Sequence, residues 1–230
     1  MLQRFGSEIW TAEGPIISVM GFDFPTRMIV IRLSDDALFI WSPVALSPAL
    51  RSAVDQLGPV RHIVAPNTLH DLFIGEWHHA YPEATLHAVP GLRAKHPKLG
   101  WGSDLGDTPA PEWSNDIDQV VIRGNRITTE VVFFHRRSRT AIFADLIQQF
   151  DARWFKGWRG VVAKLDLMAT PKPTVPRKYR LAFRNRDLAR NAVQQIMAWP
   201  AEAVLAAHAT PTRHGGRDVI AQAFDRLLRP

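Results

Sequence analysis

The chain has 230 residues, 46% of them hydrophobic and 22% charged, a composition typical of a soluble globular protein that buries its own core. It contains no cysteine, which excludes disulfide bonds and thiolate chemistry and leaves histidine, carboxylate and amide side chains to bind a metal ion. It has neither an apolar run of roughly 18 residues, as a membrane-spanning helix needs, nor a signal peptide at its start, so we expect a cytoplasmic location.

The net charge of +6 comes from one segment of the chain. Residues 151–190 hold 11 lysines and arginines against 3 aspartates and glutamates, whereas the rest of the chain holds 17 against 19. A local basic patch of this kind can bind nucleic acid, an anionic lipid or an acidic partner. It can equally be a solvated face without a partner.

The first half of the sequence predicts four successive strands, followed by helices that alternate with two further strands. The predicted strands cover residues 9–11, 16–19, 26–33, 37–41, 60–65 and 85–89, and the predicted helices cover about 48–57, 70–80 and 91–96. A turn at Gly14-Pro15 separates the first two strands, and Ser34-Asp35-Asp36 closes the clearest hairpin. Ser47 is the predicted N-cap of the first helix, with Pro48 at its first position.

A second strand-rich half follows residues 97–116, which are rich in Gly, Pro, Asp and Trp and predict a loop. The predicted strands cover residues 119–123, 130–134, 140–144 and 203–207, and helices are predicted at about 187–198 and beyond Gly216. The repeated succession of strand-rich and helical segments favours a layered fold with two sheets between helices.

A basic amphipathic helix is predicted within residues 151–168. Its apolar stripe consists of Trp154, Phe155, Trp158, Val161, Val162, Leu165 and Met168, and basic residues occupy the other faces. Such a stripe is more typical of a core or a homodimer interface than of a membrane anchor. Its aromatic residues are not interleaved with basic ones for base stacking, which disfavours nucleic acid as a partner.

Three polar residues lie at the ends of apolar strand-like runs: His70 and His208 follow such runs, and Asp145 ends one. If these strands share a direction, the three side chains converge at one edge and can hold zinc or a similar divalent ion with a coordination position left open. Each of the three residues also has a purely structural interpretation. His70 then bonds to backbone or water at a helix start, Asp145 caps a strand end, and His208 is an ordinary loop histidine.

The local sequences resemble the metallo-β-lactamase fold superfamily across most of residues 8–150 and again at 200–225. That superfamily carries His-x-His-x-Asp-His after a strand, and Ala65-Pro66-Asn67-Thr68-Leu69-His70 stands in the same register. Phe143-Ala144-Asp145-Leu146 resembles a strand that ends in Gly-Asp. Val204-Leu205-Ala206-Ala207-His208 resembles the final strand with its liganding histidine.

The resemblance also implies which metal ligands are missing. The three histidines of the first metal correspond to Ala65, Asn67 and Asn125, the last of these following Gly124. The ligands of the second metal correspond to Leu69, His70, Asp145 and His208. The resemblance therefore implies at most a mononuclear site, with one zinc or other divalent ion held by His70, Asp145 and His208.

A branch of the superfamily known only as a domain of unknown function, in bacteria and plants, is the most similar. The similarity lies in Phe24-Pro25-Thr26-Arg27-Met28, in Ala65-Pro66-Asn67 with His70, and in Asp145-Leu146-Ile147. It implies one α/β (α+β) domain over residues 1–230, a four-layer αββα sandwich with a basic helical insertion at about 151–198 before the last strand.

Two functions compete on these grounds, and a third ranks last. The first is a metal-dependent hydrolase of an unknown small-molecule substrate, in which Asn67 or Asn125 orients substrate or water. The second is a non-catalytic protein of the same fold that uses the helix at 151–168 for binding or dimerisation. Nucleic-acid binding through residues 153–190 ranks last, and the sequence also disfavours a membrane partner.

Overall fold

The computed structural model describes residues 1–229, which form two β-sheets with helices packed against them. The strands are β1 (Leu2–Gly6), β2 (Ile9–Val19), β3 (Phe22–Arg32), β4 (Leu38–Trp41), β5 (Val60–Ala65), β6 (Thr85–Ala88), β7 (Trp101–Asp104), β8 (Ile117–Ile122), β9 (Glu130–His135), β10 (Thr140–Gln148) and β11 (Ala203–His208). The helices are α1 (Pro48–Asp55), α2 (Ile74–Ala80), α3 (Leu92–Lys95), α4 (Trp158–Leu165), α5 (Arg177–Ala182), α6 (Arg186–Met197), α7 (Gly216–Ala223) and α8 (Asp225–Leu228).

The first sheet contains β1 to β7 in chain order. Its strands are antiparallel from β1 to β4 and parallel from β4 to β7, with α1, α2 and α3 in the three parallel connections. The second sheet has the order β11-β10-β9-β8, and only β10 and β11 run parallel in it. Helices α4, α5 and α6 lie in the long connection between these two strands.

The core is built by side chains that alternate between the two faces of the second sheet. Val131 and Phe133 of β9 pack between the two sheets, whereas Val132 and Phe134 pack on the outer face with residues of α6, α7 and α8. Trp77 of α2 is fully buried with the first sheet, and its indole N–H donates to the Val44 carbonyl. The result is the predicted four-layer αββα arrangement.

Several local signals in the first half of the sequence are confirmed, whereas the predicted loop at 97–116 contains strand β7. Strand β5 covers the predicted residues, the hairpin of β3 and β4 forms, and the Ser47 hydroxyl accepts the Leu50 amide as an N-cap. The predicted Gly14-Pro15 turn is wrong, because β2 continues through it with an irregular register between Glu13 and Ile16. A Cβ atom at residue 14 would lie 2.5 Å from the Val44 Cβ, so the glycine permits close packing here.

Two other predictions about helices need correction. The helix predicted from residue 70 begins at Ile74, because the side-chain Oδ1 atom of Asn67 accepts the amides of Leu69 and His70 and holds that segment as a loop. The basic helix is shorter than predicted, because α4 covers only Trp158–Leu165 and Gly157 before it has a positive φ of 58°. Of the residues in the apolar stripe, only Phe155 and Met168 are buried in the core. Its other five residues are exposed, namely Trp154, Trp158, Val161, Val162 and Leu165. Within residues 1–229, no helix is long and apolar enough to cross a bilayer.

Candidate metal centre

His70, Asp145 and His208 lie together where the two sheets meet. One potential ligand atom from each lies within 4.8 Å of the other two. The Nε2 atom of His70 is 3.2 Å from Oδ2 of Asp145, and that of His208 is 3.5 Å from Oδ1. His70 follows β5 of the first sheet, whereas Asp145 and His208 belong to the second sheet. The predicted convergence is confirmed, although the strands belong to two different sheets.

A bulge in β10 presents Asp145. Strand β10 pairs with β11 up to Phe143 and Ala206, and the pairing resumes only at Gln148 and His208. Four residues of β10 therefore stand opposite one residue of β11, which takes Asp145 out of the regular ladder. Asp145 does not end its strand as predicted, because β10 continues to Gln148.

Glu130 holds the bulge in place. Its fully buried carboxylate accepts the backbone amides of Ala144, Asp145 and Leu146 at 2.9, 2.7 and 3.1 Å. These are the amides that the bulge removes from the ladder, so the carboxylate satisfies donors that would otherwise be buried without a partner. Burial and the nearby charge of Asp145 raise the pKa of Glu130 to about 7.

Asn67 connects the loop after β5 to Asp145. Its amide nitrogen donates to Oδ2 of Asp145 at 2.8 Å, while its carbonyl oxygen accepts the amides of Leu69 and His70. Asn67 thereby positions both the carboxylate and the loop that carries His70. Its suggested role in orienting substrate or water stays a prediction.

Asn125 uses its side chain on the backbone of neighbouring segments. Its amide nitrogen donates to the Tyr179 carbonyl at 2.8 Å, and its carbonyl oxygen accepts the Ile127 amide at 3.0 Å. These bonds attach the loop after β8 to α5. They bring Asn125 to none of the three candidate ligands, and its suggested catalytic role also stays a prediction.

The tautomer of His208 follows from its hydrogen bond. Its Nδ1 atom lies 3.0 Å from the Pro25 carbonyl oxygen, which can only accept, so Nδ1 carries the proton. Burial lowers the pKa of His208 to about 4, which keeps the imidazole neutral at neutral pH. The unprotonated Nε2 then faces Oδ1 of Asp145. A cation between these two atoms would accept a lone pair from each.

His70 is oriented by Ser42, whose hydroxyl lies 2.8 Å from Nδ1. Burial disfavours its charged form, but the Asp145 carboxylate outweighs burial and raises the pKa of His70. Burial likewise opposes ionisation of Asp145, but His70 holds the pKa of that carboxyl well below its usual range. In the metal-free protein, a proton shared by His70 and Asp145 therefore balances the negative charge of the carboxylate.

The hairpin of β2 and β3 shields the site. Arg27 donates to the carbonyls of Ala206 and Ala209 at 2.5 and 2.6 Å, which attaches β3 to the end of β11. The Phe24 and Phe150 rings lie 5.4 and 6.2 Å from the His208 ring. As a result the side chains of His70, Asp145 and His208 are 10%, 8% and 6% exposed.

This donor set fits a divalent ion of the zinc type. Two imidazole nitrogens and one carboxylate are typical ligands of such ions, and each imidazole has a hydrogen-bond partner on its other nitrogen. Sequence reasoning missed Glu130, Ser42 and Pro25, which support the ligands. Glu130 carried a signal, because a carboxylate begins the otherwise apolar run of β9. Ser42 and the Pro25 carbonyl carried none.

A sequence model of the family described as a domain of unknown function, DUF4336, matches residues 6–154, more than half of the chain. The chain belongs to this family. A comparison with curated proteins finds no match.

Solved metallo-β-lactamase structures share the fold of this DUF4336 protein. The enzyme from Hirschia baltica has a TM-score of 0.62 and 13% identity, over 100% of this chain and 98% of that one. The mono-zinc form of FIM-1 from Pseudomonas aeruginosa has a TM-score of 0.64 and 11% identity, over 100% and 96%. The enzyme from Erythrobacter litoralis has a TM-score of 0.65 and 14% identity, over 98% and 95%. The four-layer sandwich of this DUF4336 protein is therefore of metallo-β-lactamase type.

Proposed function

We propose that this protein is a hydrolase that depends on one divalent metal ion, with zinc as the first candidate. His70, Asp145 and His208 would hold the ion. The observation that carries the proposal is the tautomer of His208, because the Pro25 carbonyl fixes its proton on Nδ1 and leaves Nε2 free toward Asp145. The mono-zinc form of FIM-1 supports a site with one ion in this fold.

The resemblance to dinuclear enzymes does not extend to a second ion. Ala65 and Asn67 stand where that resemblance places two histidines, and both residues are fully buried. Asn125 stands at the third position, and its side chain is engaged with Tyr179 and Ile127. These contacts support a site that binds one metal ion and not two.

When bound, a divalent ion at this site acts as a Lewis acid toward a carbonyl or phosphoryl oxygen of the substrate. The protein fixes the ligands before substrate arrives: Glu130 holds the backbone around Asp145, and Asn67 holds its carboxylate. Phe24 and Phe150 exclude bulk water from the side of His208. The substrate would approach on the side of His70, which is slightly more exposed than Asp145 and His208.

The proposal is tested by hydrolysis of a panel of simple esters, thioesters, lactams and phosphodiesters. We expect at least one class to be hydrolysed by the wild-type protein, with loss of the rate in excess chelator and recovery on adding zinc. His208→Ala should lose the rate, and His79→Ala, which changes an exposed histidine of α2, should keep it. Rates that chelator and His208→Ala leave unchanged would contradict the proposal.

A non-catalytic binding role is the second candidate function. The exposed apolar face of α4 favours it, because a solvent-facing stripe of this kind is typical of a contact surface. In its dimer form this candidate predicts that Trp158→Glu halves the molecular mass in solution. Sedimentation velocity of both proteins tests it, and a wild-type monomer would remove the dimer form.

A further inference from the structure

Helix α4 turns its apolar face toward solvent. Trp158, Val161, Val162 and Leu165 recur at the spacing of one helix face, and each is at least 40% exposed. The helix packs inward through Ala163, which contacts the cluster formed by Phe150, Phe155 and Met168. In a surface helix that had no partner, the large apolar side chains would face the core instead.

The tip of the β2–β3 hairpin extends this face. Met20 at the tip is 93% exposed, and Val19 beside it is 49% exposed. The tip is attached to the helix region, because the Trp154 indole N–H donates to the Asp23 carbonyl at 2.8 Å and Phe22 packs edge-on against Trp158. We call the combined surface the α4–hairpin surface; it consists of Val19, Met20, Trp158, Val161, Val162 and Leu165.

Four basic side chains accompany the α4–hairpin surface: Arg153, Lys156, Arg159 and Lys164. Among residues 1–229, no carboxylate forms an ion pair with any of them. The Arg159 guanidinium lies 4.8 Å from the Trp158 ring centre and donates to the Gly21 carbonyl. Lys156 and Arg159 also line a groove of about 580 Å³ beside the hairpin tip, where Asp23 adds an acidic side chain to the lining.

We propose that the α4–hairpin surface docks the protein peripherally onto an anionic lipid bilayer. Charge decides between the possible occupants. A second copy docked face to face would bring the unpaired cations of both copies together, which is unfavourable, whereas lipid phosphates complement them. Exposed tryptophan, methionine and aliphatic side chains flanked by lysine and arginine suit the boundary between headgroups and acyl chains.

The sequence disfavours a membrane partner because a core or a second copy more often covers such a stripe. The exposure of the stripe removes the core interpretation for most of its residues, and the second copy remains the alternative that the experiment must distinguish. Docking requires no metal ion and does not rest on the proposed hydrolase activity. The two features are nonetheless neighbours, because Phe155 lines the groove and its ring lies 6.3 Å from that of Phe24, which contacts His208.

Co-sedimentation with lipid vesicles tests this proposal. The full chain is mixed with vesicles of phosphatidylcholine alone, or of equal parts phosphatidylcholine and phosphatidylglycerol. We expect binding to the anionic vesicles only, weakened by added salt because the charged contacts are screened. Lys164→Glu should lower the partition coefficient at least about fivefold, since one basic residue is removed from the membrane surface. Lys98→Glu changes an exposed lysine outside the basic segment at 151–190 and should leave the partition coefficient unchanged.

The apolar part of the surface is tested with Trp158→Glu, Leu165→Glu and Met20→Glu, each compared by circular dichroism with the wild type. Met20 and Leu165 are so exposed that their variants should fold even if Trp158→Glu does not. We expect loss of vesicle binding in each folded variant and normal binding of Leu188→Glu, which changes an exposed leucine of α6. Three results would overturn the proposal: no binding to anionic vesicles, binding that these substitutions leave intact, or a lipid-free dimer that they dissociate.

Discussion

The Nε2 atom of His208 lies 3.5 Å from Oδ1 of Asp145, while Nδ1 of the same ring donates its proton to the Pro25 carbonyl. Oδ1 also accepts a long hydrogen bond of 3.4 Å from the Gln148 amide, which leaves it a second lone pair. A lone pair of Nε2 and a lone pair of Oδ1 thus face each other in a nearly closed site. Pro25 belongs to the hairpin and Asp145 to a bulge of the other sheet, so the arrangement joins distant parts of the chain. It is the strongest structural argument for a cation at this position.

Removing the Glu130 carboxylate should damage both the fold and the site. In Glu130→Ala the amides of Ala144, Asp145 and Leu146 lose their acceptor, and each buried unsatisfied group costs about 1–3 kcal/mol. We expect the free energy of unfolding to fall by at least about 2 kcal/mol, measured by urea denaturation in chelator. Glu83→Ala, at an exposed position, is the control. An unchanged denaturation midpoint in Glu130→Ala would refute this role.

Restoring the missing carboxylate of the motif should strengthen metal binding. Leu69 stands where the resembling motif carries an aspartate, directly before His70. Leu69→Asp should raise zinc affinity about tenfold, equivalent to 1.4 kcal/mol, because it adds one anionic oxygen ligand. Leu72→Asp adds the same charge at an exposed position of the same loop. Competition titration with a fluorescent zinc chelator measures both, and equal affinities for the two variants would contradict the assignment.

Lowering the pH from 6.5 toward 4 should destabilise the metal-free protein. Burial lowers the pKa of His87 and of His135 to about 4, so the unfolded chain binds more protons between pH 4 and 6.5. The free energy of unfolding therefore falls as pH is lowered through this window. Glu130 acts in the opposite direction, because its raised pKa of about 7 makes the folded state retain a proton above pH 4.5.

His62 and His208, whose pKa values are also lowered, add to the effect of these two histidines. His70, whose pKa is raised, acts in the same direction as Glu130, so four histidines oppose two groups. We expect a net loss of at least roughly 2 kcal/mol between pH 6.5 and 4.5 in the presence of chelator. His135→Gln should make the pH dependence shallower, whereas His79→Gln should not. Denaturant titrations across the pH range measure the slope, and equal slopes for the wild type and His135→Gln would contradict the lowered pKa of His135.

A methyl group at residue 14 should destabilise the first sheet. The added Cβ would lie 2.4 Å from the Thr26 hydroxyl oxygen and 2.5 Å from the Val44 Cβ. Gly14→Ala should therefore cost about 1–3 kcal/mol of unfolding free energy, as overpacking does. Gly75→Ala in α2 meets no atom within 4 Å and should be neutral or slightly stabilising. Equal thermal unfolding midpoints for the two variants would disprove the packing argument.

Local chemistry explains what could be predicted from the sequence. The Ser47 cap, the apolar run of β5 and the histidine at the end of β11 depend on residues close together in the chain. The three candidate ligands were found for the same reason, because each stands at or near the end of an apolar strand. Their direct contact across two sheets followed from the layered fold.

The features that could not be predicted depend on contacts between distant segments. Gly14 stays in a strand because Thr26 and Val44 approach it, and Glu130 is buried because a bulge 14 residues later presents free amides. The apolar stripe of α4 gives the same sequence pattern whether it faces a core or a partner. Only packing through Ala163 shows that it faces outward.

Metal stoichiometry tests the central claim most directly. The protein is purified without chelator, supplied with excess zinc, desalted and assayed by elemental analysis, alongside His70→Ala, His208→Ala and the control His79→Ala. We predict about one equivalent of zinc in the wild type and the control, and strongly reduced zinc in the two site variants. Less than about a tenth of an equivalent in the wild type, or equal zinc in all four proteins, would contradict a metal centre built on His70, Asp145 and His208.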